Sequence, residues 1–148
     1  MKKLVLALLA FVLLGVGSLL FIGRTYYPDN VAVTAPDGGS KQLVTRVYKG
    51  TPDDVKKTAK EVIGQLTTWG GSWKITDETD GGSELRIKAE VPVVVFTDDL
   101  EVIIKERSPG QVSVDVKSQS RVGKSDFGEN ARHVRKFLAA MDKKLTNS

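Results

Sequence analysis

The chain has 148 residues, 41% hydrophobic and 27% charged, with no cysteine, a single histidine and a formal net charge of +4. The lack of cysteine excludes disulfides and thiol chemistry, and one histidine with no cysteine cannot complete a zinc site. Of the 22 Lys and Arg, Lys2, Lys3 and Arg24 flank an N-terminal apolar run, leaving 19 cations against 18 acids in residues 25–148, so the basicity does not point to nucleic acid as a partner.

From Leu4 to Gly23 the chain is uncharged and mostly apolar. As a helix this run reaches roughly 30 Å, the thickness of a bilayer's hydrocarbon core, whereas the apolar part of a signal peptide is usually about 7–15 residues. Gly15-Val16-Gly17-Ser18 offers small residues for cleavage, but Leu19-Leu20-Phe21-Ile22 carries the run onward. Two lysines before the run outweigh Arg24 after it, which favours a cytoplasmic N-terminus. The expectation is a single-pass protein of the bacterial cytoplasmic membrane, with residues 4–23 in the membrane and the C-terminal domain extracytoplasmic. The alternative is a secreted or periplasmic chain after signal cleavage. Tyr26 and Tyr27 suit an interfacial aromatic belt.

Three units are expected: an anchor or signal peptide over residues 1–24, a linker over 25–40, and one domain over 41–148. The linker reading rests on Pro28, Pro36, Gly38 and Gly39 among Asp29, Asn30 and Asp37. Within it, Val31-Ala32-Val33 is at most a short edge strand. Gln42 to Lys49 alternates with the period of a strand. Thr51 then suits a helix N-cap, Pro52 the first helical position, and Asp53 and Asp54 the positive end of the helix dipole. Val55, Ala59, Val62, Ile63, Leu66 and Trp69 recur at helical spacing, and Gly70-Gly71 offers a terminator. Trp69 and Trp73, on either side of those glycines, are expected to pack the helix-to-strand corner.

Four strands are predicted next. Trp73 to Thr79 leads through Asp80-Gly81-Gly82 into Glu84 to Val91, a hairpin with one buried face. Pro92 interrupts the ladder, and Val93 to Phe96 reads as a bulged continuation or a segment packed on both sides. Thr97-Asp98-Asp99 reads as a turn with solvated carboxylates, followed by strands over Leu100 to Arg107 and Gln111 to Gln119 around Ser108-Pro109-Gly110. A helix from about Asp126 to Leu145 closes the chain, with an apolar stripe at Val134, Phe137, Leu138, Met141 and Leu145 and with His133 on its wet face.

The order implies an α+β fold: a two-layer sandwich of an antiparallel sheet of about five strands with two helices on one face, preceded by an N-terminal transmembrane helix. In outline this resembles the lipid- and steroid-binding helix-grip architecture, with fewer strands and no motif specific to that group. Fold analogy assigns no function.

Chemistry concentrates in Ser118-Gln119-Ser120-Arg121-Val122-Gly123-Lys124-Ser125-Asp126-Phe127-Gly128-Glu129-Asn130, where a strand gives way to hydroxyls, cations and glycines before the last helix. Gly123-Lys124-Ser125 matches the end of a phosphate loop, but Ser118 stands where that motif needs glycine. One reading makes Ser120, Arg121, Lys124 and Ser125 an anion site for a small molecule or lipid headgroup. The other is structural: Asp126 caps the helix with Glu129 completing the box, Ser118 and Asn130 satisfy loop amides, Gly123 and Gly128 permit the turns, and Arg121 pairs with Asp126 or a strand carboxylate. No catalytic residue, metal site or cofactor is assigned, and no protein partner can be specified. The segment resembles the domain of unknown function 1499 family, whose signature runs roughly Ser-x-Ser-Arg-x-Gly-x-Ser-Asp-Phe/Leu-Gly-x-Asn-x-x-Arg. Ser118, Ser120, Arg121, Gly123, Ser125, Asp126, Phe127, Gly128 and Asn130 match it, while His133 stands at the signature's arginine position and Arg132 one residue earlier. The resemblance implies no reaction. The expected function is a membrane-tethered binding or interaction module; the alternative is an enzyme acting on an envelope lipid or sugar at the same loop.

Overall fold

The computed structural model describes residues 1–26 and 29–146; Tyr27, the second tyrosine of the expected belt, lies outside them. The first element, α1 (Lys2–Tyr26), is 25 residues long. Among the described residues it is the one helix long and apolar enough to cross a membrane, and an N-terminal signal sequence would look the same.

The remainder is α+β, with an antiparallel sheet and two further helices. Strands β1 (Val31–Val33), β2 (Arg46–Lys49), β5 (Lys74–Asp80), β6 (Glu84–Val93), β7 (Phe96–Ser108) and β8 (Gln111–Ser120) form a six-stranded sheet in the order β1-β8-β7-β6-β5, with β2 also on β8. β1 pairs with the end of β8 (Val31 opposite Gln119) and β2 with its start (Lys49 opposite Gln111), so two short segments share one edge. Residues 29–40 are therefore more than a linker. Ala32 and Thr34 are buried. Thr34 and Thr45 both donate to Asp115 Oδ1, at 2.9 and 2.5 Å, tying this segment to β8.

α2 (Pro52–Gln65) starts as expected, with Thr51 Oγ1 accepting from the Asp54 amide at 3.2 Å. Its buried residues Val55, Ala59, Val62 and Ile63 keep one helical stripe. It ends four residues before Trp69. Leu66 leaves in an extended conformation, and Thr67–Thr68 (β3) and Gly71–Ser72 (β4) form a small hairpin with Trp69 and Gly70 at its tip. β-Branched threonines favour strand over helix, and Thr68 Oγ1 fastens the hairpin by donating to the Pro92 carbonyl. The tryptophans part: Trp73 is buried, whereas Trp69 is 97% exposed.

The β6–β7 hairpin also departs from expectation. The ladder runs through Pro92, opposite Thr97, and turns at Val94-Val95, between Val93 and Phe96. Thr97, Asp98 and Asp99 lie inside β7, not in a turn. Asp-rich sequence signals a turn only by local hydrogen bonding; here the pairing of Asp98 with both Val91 and Ser120 overrides it.

One face of each central strand is buried: Ile87, Ala89 and Val91 on β6, Leu100, Val102 and Ile104 on β7, Val112, Val114 and Val116 on β8. They share a core with Val62 and Ile63 of α2 and with Val134, Phe137, Leu138 and Met141 of α3 (Glu129–Leu145). Asp142 near the end of α3 accepts from Tyr48 Oη at 2.8 Å and pairs with Arg46 at 3.1 Å, docking the helix on β2.

Candidate functional site

Along β8 the inward-facing positions change from Val112, Val114 and Val116 to Ser118, and this substitution of a hydroxyl for a methyl creates a polar joint at the end of the core. Ser118 is fully buried and donates to Asn130 Oδ1 at 2.6 Å. Asn130, also fully buried, donates through Nδ2 to Ser120 Oγ at 2.8 Å and to the Asn30 carbonyl at 2.9 Å. Asn30 in turn donates to the Gly123 carbonyl at 2.7 Å, and its own carbonyl accepts from the Ser120 amide at 3.0 Å. Three chain segments, the approach to β1, the end of β8 and the start of α3, are thereby hydrogen-bonded to one another. Leaving Ser118 or Asn130 unpaired would cost about 1–3 kcal/mol.

The helix entry is built from the same stretch. Asp126 accepts from the Gly128 amide at 2.8 Å and the Asn130 amide at 2.9 Å. Gly128 occupies the N-cap with φ 79°, so α3 begins at Glu129, three residues later than the apolar pattern suggests. Gly123 has φ 88° and Phe127 φ 53°. Glu129 pairs with Arg132 instead of reaching back to the cap. Ser125 Oγ donates to the Gly23 carbonyl of α1 at 3.0 Å.

Arg121 lies on the outer side of the sheet. Its Nε donates to Asp99 Oδ1 at 3.0 Å, and its Nη2 to Asp99 at 2.6 Å and Glu90 at 2.8 Å. Hydrogen bonds to Asp99 and then Glu90 raise its pKa further above the usual guanidinium value. The four residues of the expected anion site thus point to different tasks: Ser120 to Asn130, Arg121 to strand carboxylates, Ser125 to α1, and Lys124 to the exposed loop.

A second polar group, not expected from sequence, is buried beside this joint. His133 is 1% exposed and Asp98 3%, so neither sits on a wet surface. The imidazole lies between two acids, with Nδ1 3.5 Å from Asp98 and Nε2 3.4 Å from Glu129. Neither ring nitrogen has a hydrogen-bond partner, and Trp73 meets the ring edge-on at a centroid distance of 5.8 Å. Burial lowers the His133 pKa, partly offset by Asp98 and Glu129. Burial raises that of Asp98, partly offset by the hydrogen bond with Ser120 and the charge of His133. The order Ser120, Asp98, His133, Glu129 puts a carboxyl group rather than an imidazole next to the hydroxyl, unlike a Ser-His-Asp triad. Among the described residues no cluster of histidine and carboxylates is arranged to hold a metal ion. The missed signal was periodicity: His133 lies three residues after Asn130 and four before Phe137, on the buried stripe itself.

A cavity of about 450 Å³ opens next to the joint, lined among others by Tyr26, Asp29, Lys41, Asp126, Arg132 and Arg135. Arg135 Nη2 donates to the Lys41 carbonyl at 2.9 Å across it.

The joint is made of the signature residues, and the match extends well beyond them. The chain belongs to the DUF1499 family, described as a protein of unknown function, which it matches over residues 26–141. No curated protein matches it. Among solved structures, a conserved protein from Geobacillus kaustophilus is 13% identical, with 70% of this chain and 93% of that one covered at a TM-score of 0.41. A Thermus thermophilus protein is 8% identical, covering 68% and 92% at 0.32. An aromatase/cyclase from Streptomyces is 11% identical, covering 77% and 84% at 0.29. At such scores none of the three bears on the activity of this chain.

Proposed function

We propose that the protein is a membrane-tethered interaction module: α1 spans the bacterial cytoplasmic membrane, and a two-layer domain with both helices over the buried face of its sheet works on the extracytoplasmic side. The observation that carries this reading is the internal use of the signature loop. Ser118, Ser120, Asp126 and Asn130 are engaged in holding the start of β1, β8 and α3 together, and Arg121 is engaged by Glu90 and Asp99. A loop so occupied supports positioning, not turnover. Meanwhile Val94, Val95 and Phe96 stand 70%, 79% and 55% exposed, which is the signature of a contact surface. Full-length protein should stay in the membrane after carbonate extraction, and a reporter fused after Ser148 should be active outside the cytoplasm. A soluble mature form beginning near Ser18 would overturn the tether.

A second reading is favoured by the 450 Å³ cavity, where Lys41, Arg132 and Arg135 outnumber Asp29 and Asp126. It makes that cavity, in place of Arg121 and Lys124, the seat of an anionic small molecule or headgroup. Calorimetry with inorganic phosphate tests it: Arg132→Ala should abolish binding while Arg121→Ala leaves it intact, and no heat above background with the natural chain excludes it.

A further inference from the structure

The strand registers bring several loops to the same end of the sheet. Asp98 pairs with Ser120 and Val31 with Gln119, so the start of β7, the end of β8 and the start of β1 coincide there. Val94 and Val95 project roughly 10 Å beyond that last rung, at about 3.3 Å per residue. The β3–β4 tip joins them: Thr68 donates to the Pro92 carbonyl, and a Cβ on Gly70 would fall 2.7 Å from the Pro92 backbone, so Trp69 projects beside the β6–β7 hairpin. Val122, 62% exposed, follows on the loop after β8.

This is also where α1 meets the domain. Gly23 is the one buried residue of α1; its carbonyl accepts from Ser125, and a Cβ there would lie 2.7 Å from the Phe127 ring. The apolar run of α1 ends at that same glycine. If α1 spans the membrane, the contact of Gly23 with Ser125 and Phe127 holds the 121–128 loop at headgroup level and brings the neighbouring tips toward the interface. Arg24 and Lys124, both exposed, flank the exit and suit anionic headgroups. An indole and a phenyl ring on convex tips fit the boundary between headgroups and acyl chains, where amphipathic aromatics concentrate.

We propose that this end of the domain is a second membrane contact, in which Trp69, Val94, Val95 and Phe96 insert into the lipid interface on the side where α1 emerges and seat the domain directly on the bilayer. The proposal rests on the tether reading above and adds its partner surface, the lipid itself.

The chain's lack of cysteine permits single-cysteine labelling of the full protein in phosphatidylethanolamine/phosphatidylglycerol vesicles. An environment-sensitive fluorophore would be placed in turn at Val95→Cys on the tip, Ser83→Cys in the exposed turn at the opposite end of the sheet, and Leu13→Cys in mid-helix. The expected result is strong quenching at position 13 by bromines deep on the acyl chain, quenching at 95 by bromines placed high on it, and quenching at 83 only by aqueous iodide. An embedded position 13 with position 95 open to iodide would overturn the lipid contact and leave the tether standing. Shielding of position 95 from both lipid and water would make its occupant a protein, a second copy if crosslinking at 95 yields dimers, and would equally overturn the proposal. A position 13 outside the lipid would remove the tether and the proposal together.

Discussion

The two ends of the sheet meet the same backbone requirement in different ways. At the far end, the β5–β6 and β7–β8 turns use Gly82 and Gly110 at φ 75° and 76°, flanked by Asp80, Ser83 and Ser108. At the end near α1, Gly123 and Gly128 serve the same purpose, but a left-handed conformation is also taken by Val94 at φ 48° and by Phe127 at φ 53°. Glycine adopts that region without steric cost, whereas a residue with a Cβ pays roughly 1–2 kcal/mol, and a β-branched one is a true outlier. The far end is therefore what a turn needs for folding alone. The near end spends stability on exposed apolar surface, and its buried polar joint replaces core that the neighbouring strands fill with valine.

The sharpest test of this contrast is truncation. A fragment beginning at Asp29 keeps Asn30, β1 and the bond from Asn30 to Gly123, and should unfold cooperatively. One beginning at Lys41 loses all three, exposes the edge of β8 and takes the Asn30 carbonyl from Asn130 Nδ2, and should fail to give a cooperative transition; a sharp transition for the shorter fragment would return residues 29–40 to the status of a linker.

Within the longer fragment, Phe137→Ala should cost about 3–5 kcal/mol, because the ring is fully buried and leaves a cavity between α3 and the sheet. Urea unfolding would register this as a lower midpoint. Asn130→Ala should follow at about 1–3 kcal/mol, from the Ser118 hydroxyl left buried without its acceptor. A loss near zero would mean that water enters the joint.

The buried pair predicts opposite pH responses. The His133 pKa is held below its ordinary 6.5, so its contribution is present above that value and is lost as pH falls through the lowered one. The Asp98 pKa is held above 3.8, so its contribution is present below that value and is lost as pH rises through the raised one. Asp98→Asn should thus leave a domain whose urea midpoint falls on acidification from pH 6.5, and His133→Gln one whose midpoint rises toward pH 4. Parallel slopes in the two variants would show that the pair titrates as one unit. The smallest expected effect is Val94→Gly. Relief of the left-handed valine should raise stability by up to about 1 kcal/mol while weakening vesicle contact, and a loss of stability would show that the valine serves the fold.

Local pattern by itself determined the apolar N-terminal helix, the N-cap of α2 at Thr51, most of β5, β6 and β8, and the stripe of α3 through Phe137 and Met141, because each rests on a repeat of 2 or 3.6 residues or on a cap within three residues. The signature stretch was likewise legible as the place where polar residues gather, and with it the family. What only the tertiary structure decided depends on partners far away in sequence. Asn30 and Val31 are ordered by β8 some ninety residues later. Asp98 faces inward because Ser120 and Val91 pair with it. Arg121 turns to Glu90 and Asp99, and His133 is buried because Trp73 and Asp98 close over it. The hairpin tip at Val94 opposed every local turn preference, since the register of two long strands, each held by many cross-strand bonds, outweighs the strain of one valine.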